Sequence, residues 1–239
     1  MADWFLVLHT GAWENMKKAF VSWSGGKDSC LAFYRAVDNG LDVRYLLNMA
    51  TEDGMRSRSH GLSKDVLEMQ AEAIGLPLIQ GKATWDGYEE EFCKILMSLK
   101  EQGVTDGVFG DIDLDIHREW VERVCNKCGI TAHLPLWMED QSKLLKEFID
   151  SGFKAVIVAT DAVVMGEEWL GRRVDLHLMS DLAKTNKITP CGEAGEYHTL
   201  VTGGPLFKKE LELVSAEKVS RDEHWFWDIK TCKYKDKGV

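Results

Sequence analysis

Two alternating periods of apolar residues run along the chain from residue 19 onward. Phe20, Val21 and Trp23 form a short apolar run that predicts a buried strand. Cys30, Leu31, Phe33 and Tyr34 then recur at helical spacing. Residues 41–51 repeat the strand signal, and Leu62, Val66, Met69, Ala73 and Ile74 predict a second helix closed by Gly75. A short strand at 77–79 follows, and Asp86 is the expected N-cap of a helix with Phe92, Ile95, Leu96 and Leu99 inward. Residues 106–109 predict a fourth strand, 117–128 a helix and 130–134 a fifth strand. Strands and helices alternating at this spacing predict an α/β fold, a parallel sheet with helices on both faces.

Past Pro135 the pattern is less regular. Leu144, Leu145, Phe148 and Ile149 predict a helix ended by Gly152, residues 153–159 a buried strand, and residues 175–182 an acidic helix. The expected division is therefore a sheet domain at 16–133, a smaller C-terminal α/β lobe at 134–228 and a tail at 229–239. Residues 1–15 do not share the pattern. Their apolar run, Trp4 to Leu8, is too short for a signal sequence and lacks a basic flank, so they are expected to be an extension ahead of a start at Met16.

Composition narrows the class. A chain of 239 residues with 45% apolar and 28% charged side chains can form two lobes. It should bury roughly 70–75% of its unfolded surface without a disulfide or metal staple. No apolar run approaches the ~18 residues of a membrane span. A net charge of −10 argues against nucleic acid as the main partner, since such partners are held largely by Lys and Arg. Six irregularly spaced cysteines fit a reducing, cytoplasmic setting. Cys125 and Cys128 form a C-x-x-C, but they continue the amphipathic series Trp120, Val121, Val124. They read as a helix face rather than a metal or redox site.

Two stretches carry chemistry. In the first, a predicted strand breaks at Ser24-Gly25-Gly26-Lys27-Asp28-Ser29 and a helix begins at once. Adjacent glycines let backbone N–H groups crowd around an anion, and the helix N-terminus adds partial positive charge. Lys27 is expected to be a mobile point charge and Ser24 and Ser29 to supply hydroxyls. The adjacent glycines and the Lys-Asp pair separate this loop from G-x-x-x-x-G-K-[ST]. Ligands of such sheets bind at the carboxyl ends of the strands, which brings residues 57–61 and 110–118 into range, with Arg56, Arg58 and Ser59 beside His60. The plainer alternative is a glycine-rich turn with an incidental lysine. The second stretch, Cys191 to Thr199, packs Gly192, Glu193, Gly195, Glu196, Tyr197 and His198 together. Its carboxylates can bind a cation or amine and its imidazole can move protons, or it is an acidic solvated turn.

Ser24 to Ser29 resembles the PP-loop of the ATP pyrophosphatase superfamily. Taken with Phe109 to Asp113, Leu136-Trp137, Asp140-Gln141 and Gly192 to Thr199, the chain resembles the diphthine–ammonia ligase family from about Met16 to Lys209. The resemblance implies an adenine nucleotide alpha-hydrolase-like fold and a reaction using ATP, Mg²⁺ and ammonium. A carboxylate of diphthine on elongation factor 2 is adenylated, pyrophosphate leaves, and ammonia displaces AMP. It implies nucleotide binding by Ser24, Gly25, Gly26, Lys27, Asp28 and Ser29, with His60, Gly110 and Asp111 at the edge of the site. Read from its surroundings alone, His60 is sooner a capping or packing residue than a nucleotide contact. Asp28, or Asp111 with Asp113, would hold Mg²⁺ through water; bracing the loop is the equal alternative for Asp28. Catalytic roles fall to Lys27, Asp28, Glu193, Glu196 and His198, the last three handling acceptor or ammonia from across the cleft. In one departure, eukaryotic members carry Gly-Ala-Ile where this chain has Gly110-Asp111-Ile112, the form of archaeal and some bacterial relatives. The alternatives are another PP-loop adenylation, on tRNA or a small molecule, or an ATP-binding sensor without turnover. The acidic balance and the absence of paired cysteines for sulfur transfer count against the tRNA case.

Overall fold

A computed structural model describes residues 16–58, 60–185 and 187–237, so the expected extension at 1–15 and Ser59 lie outside the described residues. The first sheet contains β1 (Lys18–Ser22), β2 (Asp42–Ala50), β3 (Leu78–Lys82), β4 (Asp106–Val108) and β5 (Thr131–His133). Its helices are α1 (Lys27–Asp38), α2 (Lys64–Ile74), α3 (Tyr88–Glu101) and α4 (Asp115–Cys128). The strand order is β3-β2-β1-β4-β5, with every pair parallel. The chain starts in the middle, winds outward through β2 and β3, then crosses back to β4 and β5. That reversal opens a crevice at the carboxyl ends of β1 and β4.

Both faces of the central strand are covered, which is why β1 reads as a continuous apolar run. Ala19, Val21 and Trp23 pack with Leu31, Phe33 and Leu67. Phe20 packs on the other side with Leu47, Phe92, Leu96, Phe109 and Val124. Cys125 and Cys128 join this second cluster on the buried side of α4, beside Cys93.

The C-terminal part contains α5 (Gln141–Asp150), β6 (Lys154–Asp161), α6 (Leu176–Leu182), β7 (Tyr197–Gly203), β8 (Glu210–Arg221) and β9 (His224–Lys235). Its sheet is antiparallel, ordered β7-β6-β9-β8. Asp140 and Asp175 cap α5 and α6, accepting from Lys143 N–H and Leu178 N–H at 2.9 Å. Phe153, Ile157, Leu200 and Phe207 belong to the same apolar cluster as Val21 and Leu67, so the two sheets share one core. Truncating fully buried Leu67 to Ala in that core should cost ~2–5 kcal/mol.

Two expectations are corrected here. Asp86 does not cap α3; Gly87 occupies that position, and its N–H goes to Thr84 Oγ1 at 3.1 Å. Residues 229–239 are not simply a tail, because β9 runs to Lys235 and pairs with β8 along its length. Asp222 and Glu223 make the two-residue turn at φ 47° and 62°, the left-handed geometry that fits a tight hairpin. Among the described residues no helix is long and apolar enough to cross a membrane.

Candidate active site

The chain leaves β1 with Trp23 N–H on Leu47 C=O at 2.7 Å, and Gly25 turns it at φ 84°. Ser24 Oγ accepts from Gly26 N–H at 3.2 Å and lies 3.0 Å from Ser29 Oγ, which donates to Gly26 C=O at 3.1 Å. The loop is therefore closed on itself by its two serines. Gly26, the N-cap of α1, has no room for a side chain: a Cβ there would lie 2.2 Å from His60 Cε1. A Cβ on Gly110 would lie 2.8 Å from the backbone of Asp28 and Ser29, so the loop after β4 touches the first turn of α1. An α-helix leaves its first N–H groups without intrahelical partners; here Ser24 Oγ takes that of Gly26 and Thr199 Oγ1 that of Lys27, and Lys27, Asp28 and Ser29 of this turn line the crevice.

Lys27 is not a mobile point charge. Its side chain is 3% exposed, and Nζ donates to Asp28 Oδ2 at 2.8 Å and to Cys191 C=O. Nζ also lies 4.9 Å from the centre of the Tyr197 ring. Burial opposes its charge, but Asp28, Tyr197 and Cys191 together hold the ammonium protonated, above the ordinary lysine range. Lys27 N–H donates to Thr199 Oγ1 at 3.0 Å. Asp28, 26% exposed, thus does brace the loop; burial pushes its carboxyl upward, Lys27 opposes this, and Asp111 adds to it.

The loop at 189–199 does not stand across the cleft from the phosphate loop. Val201 N–H donates to Gly25 C=O at 2.9 Å. The buried amide of Gln70 donates to Gly25 C=O at 3.0 Å and to Val201 C=O at 2.6 Å. Strand β7 and residues 24–29 therefore form one wall. The two glutamates of this loop part company. Glu193 lines the cleft and accepts from Ile112 N–H at 3.1 Å. Burial raises its carboxyl to about 7; Asp28 and Asp111 add to the rise, while the Ile112 N–H and Lys27 oppose it. Glu196 is buried outside the cleft lining, accepting from Thr189 N–H at 2.6 Å and Thr189 Oγ1 at 3.1 Å. It staples the loop at Thr189, away from the cleft lining in which a catalytic role would place it.

His198 and His60 do meet, with ring centres 4.6 Å apart. Burial lowers His60 to about 4, with Lys27 adding to the fall, and its Nδ1 is 2.9 Å from Thr199 C=O, which makes Nδ1 the protonated nitrogen. Burial, then His60, Lys27 and His224, also holds His198 well below the ordinary value. Both rings are neutral near pH 7, so His198 is not a ready acceptor of protons there.

The expected cation ligands are only partly gathered. Asp111 lines the cleft, with Oδ1 3.2 Å from His117 Nδ1, and that contact raises His117. Asp113 is drawn away, accepting from Gln141 Nε2 at 2.8 Å. Among the described residues no three His, Cys, Asp or Glu side chains stand close enough to hold a metal as a preformed cluster. The carboxylates that line the cleft are Asp28, Asp111 and Glu193 near the phosphate loop, with Asp86 and Glu89 at its far end.

The cleft measures about 1100 Å³, and its far end is built by residues outside the expected set. Tyr88 packs between Trp85 (centres 6.1 Å apart) and Phe92 (6.2 Å), with Trp120 5.6 Å away. Arg58 stands 4.4 Å from the Trp85 ring centre and donates to Ala83 C=O. Helical periodicity assigns Trp120 to the core, which hides its second exposure to the cleft. The available signal was Trp85 and Tyr88, two aromatics three residues apart at a helix start, just beyond the carboxyl end of β3.

Together these features define an α/β protein with a Ser-Gly-Gly-Lys-Asp-Ser anion seat at the switch point of a parallel sheet. More particularly, the chain belongs to the diphthamide synthase family. Residues 16–132 match the diphthamide synthase N-terminal domain and residues 140–235 the diphthamide synthase C-terminal domain. Similar proteins include three named diphthine–ammonia ligase. That of Schizosaccharomyces pombe is 32% identical over 90% of this chain and 39% of its own length. That of Danio rerio is 32% identical over 88% of this chain and 92% of its own, and that of Bos taurus 30% over 88% of each. The chain thus spans well under half of the fission-yeast relative and most of the vertebrate ones. Among solved structures, a chain titled as a predicted subunit of tRNA methyltransferase from Methanocaldococcus jannaschii aligns at a TM-score of 0.45 and 15% identity, over 80% of this chain and 98% of that one. At that level it bears on neither fold nor function.

Proposed function

We propose that this protein is an ATP-dependent amide ligase that converts diphthine on elongation factor 2 to diphthamide. The diphthine carboxylate attacks the α-phosphorus of ATP, the bond to the pyrophosphate oxygen breaks, and ammonia then displaces AMP from the acyl carbon. One observation carries the reading: a carboxyl poised near neutrality, Glu193, shares a cleft with an anion seat on a helix N-terminus.

The roles follow from the contacts. The first turn of α1 with Ser24 and Ser29 receives the phosphates, and Gly110 lets the loop after β4 come close enough to border them. Lys27 acts through Asp28 and the Cys191 carbonyl, fixing the loop and lending its charge from behind. Ammonium must lose a proton to become a nucleophile, and the new amide sheds another. Glu193, with a value about 7, is the base placed for that task. The chemistry of the donor set suits a divalent cation, because Asp111 raises Asp28, and Asp28 and Asp111 raise Glu193, with one buried lysine to offset them. Asp28 and Asp111 would hold Mg²⁺, which when bound neutralises charge on the departing pyrophosphate. Neutral His60 and His198 offer ring faces and acceptor nitrogens at the nucleotide edge. Six thiols, five of them buried, suit action in the cytoplasm.

The test is product analysis with ATP, ammonium and elongation factor 2 carrying diphthine. AMP and pyrophosphate in equal amounts, dependent on the acceptor, are expected. ADP with phosphate, or nucleotide turnover indifferent to the acceptor, refutes the reading.

A further inference from the structure

The aromatic end of the cleft has no part in the phosphate chemistry, yet it opens directly onto it. We propose that Trp85, Tyr88 and Trp120, with Asp86 as counter-charge, seat a quaternary ammonium group of the acceptor. The inference rests on the ligase reading, because diphthine carries a trimethylammonium group on the carbon that also bears its carboxylate. Two groups on one carbon cannot be held far apart. Any site for the ammonium must border the place where the carboxylate meets the α-phosphorus.

The structure has that adjacency. Asp111 shares the cleft with Asp28 and Glu193 on the phosphate side and with Tyr88 at the aromatic end. All of these, with Trp85 and Trp120, line the same cleft. The chemistry fits the ligand. A trimethylammonium has no N–H to donate, so carboxylates alone hold it weakly; ring faces attract it through their quadrupoles, Trp most strongly. Three rings from two elements converge here, Trp85 and Tyr88 at the start of α3 and Trp120 on α4.

Nearby charges favour a cation on balance. Arg58 is the opposing charge; its guanidinium lies against the Trp85 ring and donates to the Ala83 carbonyl, while its buried Nε has no partner. Its position 4.4 Å from that ring centre shows the wall accepting a cation. Glu89 is spent on Arg123 at 2.7 Å, which leaves Asp86 as the negative group at this end, with Asp28, Glu193 and the His117-bound Asp111 along the same cleft.

The test compares choline with its neutral isostere 3,3-dimethylbutan-1-ol, titrated into the full chain and followed by ligand-observed NMR. Choline should bind about tenfold more tightly than the isostere, the scale of one cation–π contact. Trp85→Ala removes a ring that is 74% exposed, so folding is not at stake, and should weaken choline by about tenfold. In the ligase assay that substitution should raise KM for the diphthine-bearing factor and leave KM for ATP in place. Equal binding of choline and isostere, unchanged choline binding by Trp85→Ala, or displacement of choline by AMP overturns the proposal; the last would give the rings to the nucleobase. Selective choline binding without AMP release would instead overturn the ligase reading and leave the cation site standing.

Discussion

Glu193→Gln tests the charge arrangement of the cleft through stability, independently of any substrate. The glutamine keeps an oxygen for Ile112 N–H and removes one ionisation. In the folded protein the Glu193 carboxyl is raised from 4.5 to about 7. A raised value means that this group favours the folded state fully below the ordinary carboxylate value. That advantage is lost as pH climbs through the folded value. Each unit corresponds to ~1.4 kcal/mol, so the whole shift is worth ~3 kcal/mol, and partial access of water to the side chain reduces the expected effect to ~2 kcal/mol. Urea midpoints of both proteins should therefore converge near pH 5 and separate by pH 8, with the glutamine variant the more stable. Amidation should fall in the same variant by roughly 10²–10⁴, the worth of a positioned base. The wild-type rate limb near pH 7 should vanish with it. A stability difference that is flat from pH 5 to pH 8 would refute the claim that Asp28, Asp111 and burial force Glu193 toward neutrality.

Two other substitutions probe the corrected assignments. Lys27→Met should lower stability by ~2–4 kcal/mol, because Asp28 and the Cys191 carbonyl lose their donor, with the partial exposure of Asp28 keeping the loss below the worst buried-pair cases. An unchanged urea midpoint would mean that the lysine swings free in solution. Glu196→Gln should cost ~1–2 kcal/mol through its weakened bonds to Thr189, while turnover per folded molecule at saturating substrates stays near wild type. A hundredfold fall in kcat at unchanged stability would return Glu196 to the chemistry.

What the sequence reveals and what it conceals have separate physical causes. The run Phe20, Val21, Trp23 is legible because both faces of β1 are buried, and the phosphate loop because backbone crowding at Gly26 tolerates no Cβ. The hairpin β8–β9 is hidden because its turn uses Asp222-Glu223 instead of Asn-Gly, and its outward residues are charged. Lys27 misleads because its partners, the Cys191 carbonyl and the Tyr197 ring, lie on a distant segment. Glu193 and Glu196 look equivalent in sequence. They differ only in which donor each meets, Ile112 N–H across the cleft or Thr189 within the loop.

Those distant contacts change what the two halves of the chain can be said to do. A nucleotide half and an acceptor half would predict a phosphate loop complete within the first sheet. Instead the loop takes its shape from both halves. Gly25 gives its carbonyl to Val201, Lys27 its N–H to Thr199, and Gly26 lies under His60, whose ring is itself tied to Thr199. Gln70, with no exposed surface, joins Gly25, Val201 and the Trp23 indole through one amide. Buried amides with every bond made are costly to disturb singly, so β7 and the phosphate loop are held to one geometry. Glu193 hangs from the same segment while bonded to the loop after β4. The groups proposed to receive phosphate and the group proposed to move protons are consequently positioned by one continuous hydrogen-bonded wall, and neither is set by a single half of the chain.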